Sequence, residues 1–283
     1  MSALGFALVL AAAFCHATWN YFVKRLNAGP ELIWLFSAVT VVLYAPLALW
    51  FALGWTATFS GVAVIAVSAL LHLAYFVLLQ RAYRAGDLSV IYPTARATGP
   101  ILSTSFAVAV LGAPMNPQMA AGGLIVVFGV LMLTGGRGVG PRRAGLSLGF
   151  GLAVGTLIGA YTVWDARAVA LLAIPPVLLD YVSSLGRSLV LAPLARSRWA
   201  KVRTLWRDHR VEVIVIAVFN PLAYILVLVA LTFTPVSYVA PIREISVLIT
   251  VLLGSFLLGE GQLARRLGWA TVILTGVAVL ATG

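Results

Sequence analysis

Pro93-Thr-Ala-Arg-Ala-Thr-Gly-Pro100 lies inside an apolar run, residues 88–111, long enough to cross a bilayer. It puts two prolines, a glycine and a guanidinium where hydrocarbon is expected. A charge at the centre of a membrane helix costs about 2.5–3.5 kcal/mol on insertion scales. Arg96 therefore needs a partner, a water-filled cavity or both. A second stretch, Pro241-Ile-Arg-Glu-Ile-Ser-Val-Leu248, follows 148 residues later in a run of the same kind. Arg96 and Glu244 occupy the same position in the two copies.

Around these stretches the chain is 62% hydrophobic and only 10% charged over 283 residues. Soluble domains carry about 25% charged residues, so the composition is that of a polytopic membrane protein. The net charge of +11 would point to nucleic acid in a soluble chain. Here the basic residues lie in short loops, where they set topology and meet anionic headgroups, so no nucleic-acid partner is expected. The single cysteine, Cys15, excludes an internal disulfide and a cysteine-based metal site.

Ten stretches qualify as spanning helices: 3–23, 31–53, 60–82, 88–111, 117–135, 145–164, 174–195, 211–232, 236–258 and 263–281. The expected fold is an all-α membrane protein. Arg196–Arg210 is the longest connection. Its Trp199, Val202 and Trp206 fit either a short helix lying at the interface or a solvated basic loop. Fifteen Lys and Arg residues fall in odd-numbered loops, and one, Arg167, in an even-numbered loop. The positive-inside rule then puts the odd loops in the cytoplasm and both termini outside. Lys24-Arg25 follow the first apolar run, and no charged segment precedes it. The first helix is therefore expected to stay in the membrane.

The chain also repeats. Leu73-Ala-Tyr75 recurs as Leu222-Ala-Tyr224, Ser89…Pro93 as Ser237…Pro241, Leu111-Gly112 as Leu258-Gly259, and Gly129-Val130 as Gly276-Val277. The offset stays between 147 and 149. The division that follows is residues 1–136 as a first five-helix repeat, 137–144 as a linker and 145–283 as a second. Five is odd, so the repeats enter the membrane in opposite orientations, an arrangement of transporters that bind near the midplane.

Ala-Phe-Cys-His-Ala-Thr-Trp-Asn (13–20), Ser-Val-Ile-Tyr-Pro (89–93), Leu-Gly-Glu (258–260) and the Gly-rich last helix, set in ten helices as 5+5 inverted repeats, resemble the drug/metabolite transporter superfamily, EamA-type. The resemblance covers nearly the whole chain. It implies an exporter of amino acids, drugs or other metabolites, in a bacterial-type inner membrane. Many members carry their termini in the cytoplasm, opposite to the charge pattern here.

Five charges fall deep within the expected spans, away from their ends: Arg96, Asp180, Arg187, Arg243 and Glu244. They read either as structural ion pairs or as the lining of a wet cavity. Helical spacing adds His16, Trp19 and Asn20 on the first helix, His72 and Tyr75 on the third, and Tyr224 on the eighth. Basic groups come out in the cytoplasmic half and acidic groups in the outer half, so a zwitterion fits between Arg96 or Arg187 and Glu244. Pro93, Pro100, Pro221 and Pro241 permit kinks. Gly151, Gly155 and Gly159 form a small-residue stripe for close helix packing. No ATP-binding loop, catalytic set, metal-ligand cluster or cofactor motif appears. Neither half carries a mid-membrane carboxylate on its first helix, which weakens a drug/proton exchange reading. The expected function is secondary export of a small-molecule substrate, amino acids first, by alternating access. A multidrug or lipophilic-cation exporter and a non-transporting membrane scaffold or partner subunit are the alternatives. The oligomeric state is open, a monomer included.

Overall fold

The computed structural model describes residues 3–56, 58–111, 116–134, 141–231, 233, 243, 245–260 and 262–282. Every regular element among them is helical. The helices are α1 (Ala3–Leu26), α2 (Pro30–Leu53), α3 (Phe59–Ala85), α4 (Leu88–Leu111), α5 (Pro117–Thr134), α6 (Pro141–Leu172), α7 (Pro176–Ser197), α8 (Trp199–Leu231), α9 (Ile245–Leu252) and α10 (Leu263–Thr282). A wider π-helical turn, Leu253–Leu257, continues α9. Seven of the helices are long and apolar enough to cross a membrane: α1, α2, α3, α6, α7, α8 and α10. The chain is a multi-pass membrane protein.

Local chemistry starts the helices where the sequence calls for it. α2, α5, α6 and α7 open on proline, whose missing N–H costs nothing in a first turn. Thr58 Oγ1 accepts the Gly61 N–H at the start of α3, and Asn116 Oδ1 accepts that of Met119 at the start of α5. Asn27 ends α1 with a left-handed φ of 43°, a conformation asparagine tolerates.

Two boundaries differ from expectation by two turns or more; the sixth helix also begins at Pro141, four residues earlier than expected. The sixth helix runs to Leu172, not to 164, because Ala166–Leu172 is apolar apart from Arg167 and contains no breaker. Residues 199–208, left between helix and loop, are helical, and α8 changes direction at His209, whose φ and ψ of −134° and 29° leave the helical region. Val202 is buried there, while Trp199 and Trp206 are exposed. The backbone stays helical through Pro221, so the bend in α8 is set at His209.

The helices pair in a regular way. α2 packs on α7, α5 on α10, and α4 on α9; α1 packs on α8 and α3 on α6; α1 also meets α9, and α4 meets α6. Glycines allow the closest approaches. Gly151 and Gly155 of α6 sit against α4, where a Cβ on Gly155 would come within 2.4 Å of Thr98 Cβ. Gly159, the third member of the stripe, faces open space. Between α5 and α10, Gly122 and Gly276 each lie against the partner helix's backbone.

Large apolar side chains such as Val42, Leu49, Trp50 and Phe59 point outward. Buried polar residues include Asn20, Ser37, Ser68, His72, Arg96, Asp165, Asp180 and Arg187. Lipid can cover an apolar exterior at no cost but cannot satisfy a polar group, so polar side chains gather inside.

The basic loops meet at one end of the bundle. Lys24 donates to Gly86 O at 2.6 Å and to Tyr83 O. Arg198 reaches Glu31 at 3.3 Å, and Arg265 bonds Met132 O. Arg266 bridges Asp87 at 2.7 Å and Glu260 at 3.1 Å.

Candidate functional site

Polar side chains in the middle of the bundle fall into three groups. The first is organised by Asp165 of α6, only 1% exposed. Its Oδ1 accepts the Ser68 hydroxyl at 2.6 Å. Its Oδ2 lies 2.8 Å from His72 Nε2 and accepts the Tyr224 hydroxyl at 3.4 Å. His72 is the central residue of α3. Tyr161, one turn before Asp165, lies over the His72 ring at 4.2 Å between centroids and edge-on to Tyr75 at 5.4 Å. α3, α6 and α8 thus converge on one carboxylate.

Asp165 was absent from the sequence-level set because the sixth helix was expected to stop one residue before it. The expectation that the first helix of the second half carries no intramembrane carboxylate is corrected: Asp165 is buried inside α6. The usable signal was Tyr161 and Asp165 at i and i+4, which share a face if the helix continues.

The second group belongs to α7. Arg187, 1% exposed, donates through Nε to Ser37 at 3.2 Å and through one terminal nitrogen to Ser184 at 2.7 Å. Its guanidinium carbon lies 4.4 Å from the centroid of the Phe76 ring, a cation–π contact. Its other terminal nitrogen is buried with no hydrogen-bond partner among the described residues. Asp180 is buried one and two turns away and lies within electrostatic reach of Arg187, His72 and Asp165. Among the described residues its carboxylate forms no ion pair within hydrogen-bonding distance.

The third group joins α1, α4 and the approach to α9. Arg96 is 8% exposed, and the charges of Arg96 and Arg243 reach both His16 and Tyr161. Tyr75 lies within the fields of Arg96 and Arg187. Tyr92 and Ser246 share a hydrogen bond at 3.0 Å that ties α4 to α9. Glu244 and Pro241 lie outside the described residues. Pro93 and Pro100 both fall within the helical span of α4.

Two of the predicted residues already have structural partners. Asn20 accepts the Tyr83 hydroxyl at 2.5 Å and donates to His16 O at 2.7 Å. Trp19 packs on Phe76 at 5.9 Å and donates to His16 Nδ1 at 3.3 Å. Both lock α1 to α3 rather than face open space. The structure therefore brings together Arg96, Arg243 and His16; Asp180 and Arg187; and His72 with Tyr224. Tyr75 stands between the first two of these groups.

A fourth cluster, not singled out in the sequence, closes the basic end. Glu260 Oε1 accepts the Leu88 N–H at 2.7 Å, and Oε2 accepts the Ser89 N–H at 3.0 Å and the Ser89 hydroxyl. A carboxylate on the first amides of α4 meets the positive end of its dipole. Arg266 binds the same Glu260 oxygen, Ser89 Oγ and Asp87. Gly254 makes room, since a Cβ there would meet Glu260 Oε2 at 2.8 Å. A polar cavity of about 500 Å³ lined by Lys24, Arg25, Asn27, Asp87, Gly259 and Glu260 opens beside it.

Residues 145–282, just under half of the chain, match the EamA-like transporter family. This match supports the drug/metabolite transporter superfamily and points to a membrane transporter of small molecules. No curated protein matches the sequence. A solved structure described as "Crystal structure of protein" is similar over 98% of both chains, with 16% identity and a TM-score of 0.57. That likeness concerns the fold.

Proposed function

We propose that this protein is a secondary exporter of small zwitterionic metabolites, amino acids foremost, that works by alternating access between two five-helix halves. The observation that carries this reading is the separation of buried charge. The charges of Arg96 and Arg243 together reach His16, whereas those of Asp165 and Asp180 together reach Tyr224. A bound amino acid directs its carboxylate toward the guanidinium groups and its ammonium toward the carboxylates. Guanidinium suits the first task because its planar fork matches a carboxylate. Arg187, whose charge reaches Tyr75, adds a buried N–H with no partner among the described residues.

The inverted-repeat reading draws support from helix pairing. Exchanging each helix of α1–α5 with the one five later maps α1–α8 onto α6–α3, α2–α8 onto α7–α3 and α1–α9 onto α6–α4, and α2–α7, α4–α9 and α5–α10 onto themselves. On this reading the junction is residues 137–144, and the basic end with Lys24, Arg84, Arg198 and Arg266 faces the cytoplasm. The Glu260–Arg266–Asp87 cluster then acts as the cytoplasmic closure, which export must open. The matching inner-membrane location follows from the same family reading.

Reconstituted protein tests the proposal. Uptake of a radiolabelled mixture of the twenty amino acids into proteoliposomes is expected with the wild type and lost in Arg96→Ala at equal reconstitution. Undiminished uptake by Arg96→Ala would remove that residue from the mechanism. A wild type that carries tetraphenylphosphonium but no amino acid would favour the lipophilic-cation reading, for which the aromatic wall of Tyr75, Tyr161 and Tyr224 is suited.

A further inference from the structure

We infer that Asp165 and His72 form a proton-binding site and, if the exporter reading above holds, the site that couples export to proton entry. The geometry provides one acid and one base in direct contact, 2.8 Å apart and shielded from lipid. Among the described residues no three His, Cys, Asp or Glu side chains gather to hold a metal ion. With Asp165 ionised, both oxygens can only accept. Ser68 donates to Oδ1, and His72 Nε2 and Tyr224 donate to Oδ2. That fixes the neutral His72 tautomer as the Nε2–H form and leaves Nδ1 as a base. Nδ1 has no hydrogen-bond partner among the described residues. One proton added there gives an imidazolium held against the carboxylate. Its loss from the same atom restores the starting pair, and no other bond changes.

The three donors come from α3 and α8, while the acceptor comes from α6. In the repeat reading these are the third helix of each half and the first helix of the second. A proton arriving at the pair therefore changes the attraction between elements that alternating access must move apart. The surroundings make the charge change count. Asp180 faces the pair from α7, Tyr161 from α6 and Tyr224 from α8, with Arg187 of α7 beside Asp180 and Tyr75 of α3 against Tyr161. Arg96 and Tyr92 of α4 and Arg243 act on Tyr161. His16 of α1 belongs to the Arg96 group, and Tyr44 of α2 to Asp180. α5 contributes no titratable side chain. Unprotonated, the pair carries one negative charge beside the Asp180 carboxylate. Protonated, it carries none. A proton and a substrate ammonium group thus compete for the same negative charge, which is the thermodynamic condition for exchanging one for the other.

The test uses full-length protein in phosphatidylethanolamine–phosphatidylglycerol vesicles and has a readout that needs no substrate. In sodium-free buffer, infrared difference spectra of the wild type between acidic and alkaline buffer are expected to show imidazole protonation bands that His72→Gln removes and Asp165→Asn alters. Ser68→Ala, which removes one donor and keeps the pair, alters them less and guards against a variant that does not fold. Spectra unchanged by His72→Gln, or by Asp165→Asn in folded protein, would overturn the site, as would a signal that appears only with sodium. The second readout is gradient stimulation, the ratio of amino-acid mixture uptake with and without an imposed pH gradient. It is expected to be well above unity in the wild type and to fall to unity in Asp165→Asn. Stimulation that persists in Asp165→Asn refutes the coupling role. Absence of any amino-acid flux in the wild type refutes the exporter reading instead, and the infrared result still decides the proton site.

Discussion

Arg266 and Asp87 meet at 2.7 Å across 179 positions of sequence, the one at the start of α10 and the other in the turn before α4. Arg266 is almost completely buried, and its second terminal nitrogen binds Glu260. Glu260 in turn caps α4. Two short segments distant in sequence, 87–89 and 260–266, are held by one guanidinium.

Breaking a buried ion pair by removing one partner costs about 3–5 kcal/mol, because the other charge is left uncompensated. Glu260→Gln is therefore expected to lower the thermal unfolding temperature of the detergent-purified protein markedly, whereas Arg207→Gln, in an exposed pair with Asp208, is expected to leave it within error. Equal stability of the two variants would show that the cluster does not hold the basic end together.

The α4–α6 contact makes a sharper steric prediction. Gly155→Val puts a branched side chain where even a Cβ would lie 2.4 Å from Thr98 Cβ and 2.5 Å from Ala95 O. Backbone cannot yield as a flexible side chain does, so a loss above the usual 1–3 kcal/mol of overpacking is expected. Gly159→Ala meets nothing within 4 Å and is expected to be neutral. Expression level and unfolding temperature of the two variants, measured side by side, check the pair.

Tyr83→Phe isolates the α1–α3 tie. The hydroxyl it removes is the donor to fully buried Asn20, and leaving that carbonyl unsatisfied costs about 1–3 kcal/mol. The expected result is lower stability with an unchanged substrate KM. A changed KM at normal stability would move Asn20 from a structural tie to the substrate path.

Orientation is open to a direct test. A reporter fused after Gly283 is expected to be active as alkaline phosphatase and dark as a cytoplasmic fluorescent protein, because the basic loops gather at the opposite end from the C-terminus. Fluorescence of the cytoplasmic fusion would reverse the assignment of the basic end.

Some of this was written in the sequence. An apolar run of some twenty residues has few stable forms in lipid other than a helix, because every backbone amide must be satisfied within the segment. The expected spans therefore match the helices closely wherever the breakers are plain, as at Pro30, Pro117 and Pro176. The cost of intramembrane charge singled out five interior candidates, of which Arg96, Asp180 and Arg187 are buried, Arg243 is half-buried and Glu244 lies outside the described residues. Helical spacing put His72 and Tyr224 on candidate inner faces.

Tertiary structure alone decided who meets whom. No local pattern relates Asp165 to His72, 93 positions apart, or Arg266 to Asp87. Such pairs depend on which helices pack together and at what rotation, which is the sum of many small contacts spread over the chain. Asp165 illustrates the limit: a helix end placed at 164, eight residues short of Leu172, turns a buried carboxylate into a loop residue. Charge and apolarity are properties of single residues and short windows, so the sequence determined that this chain crosses a membrane and holds charge inside. The partner of each charge is a property of the packed bundle.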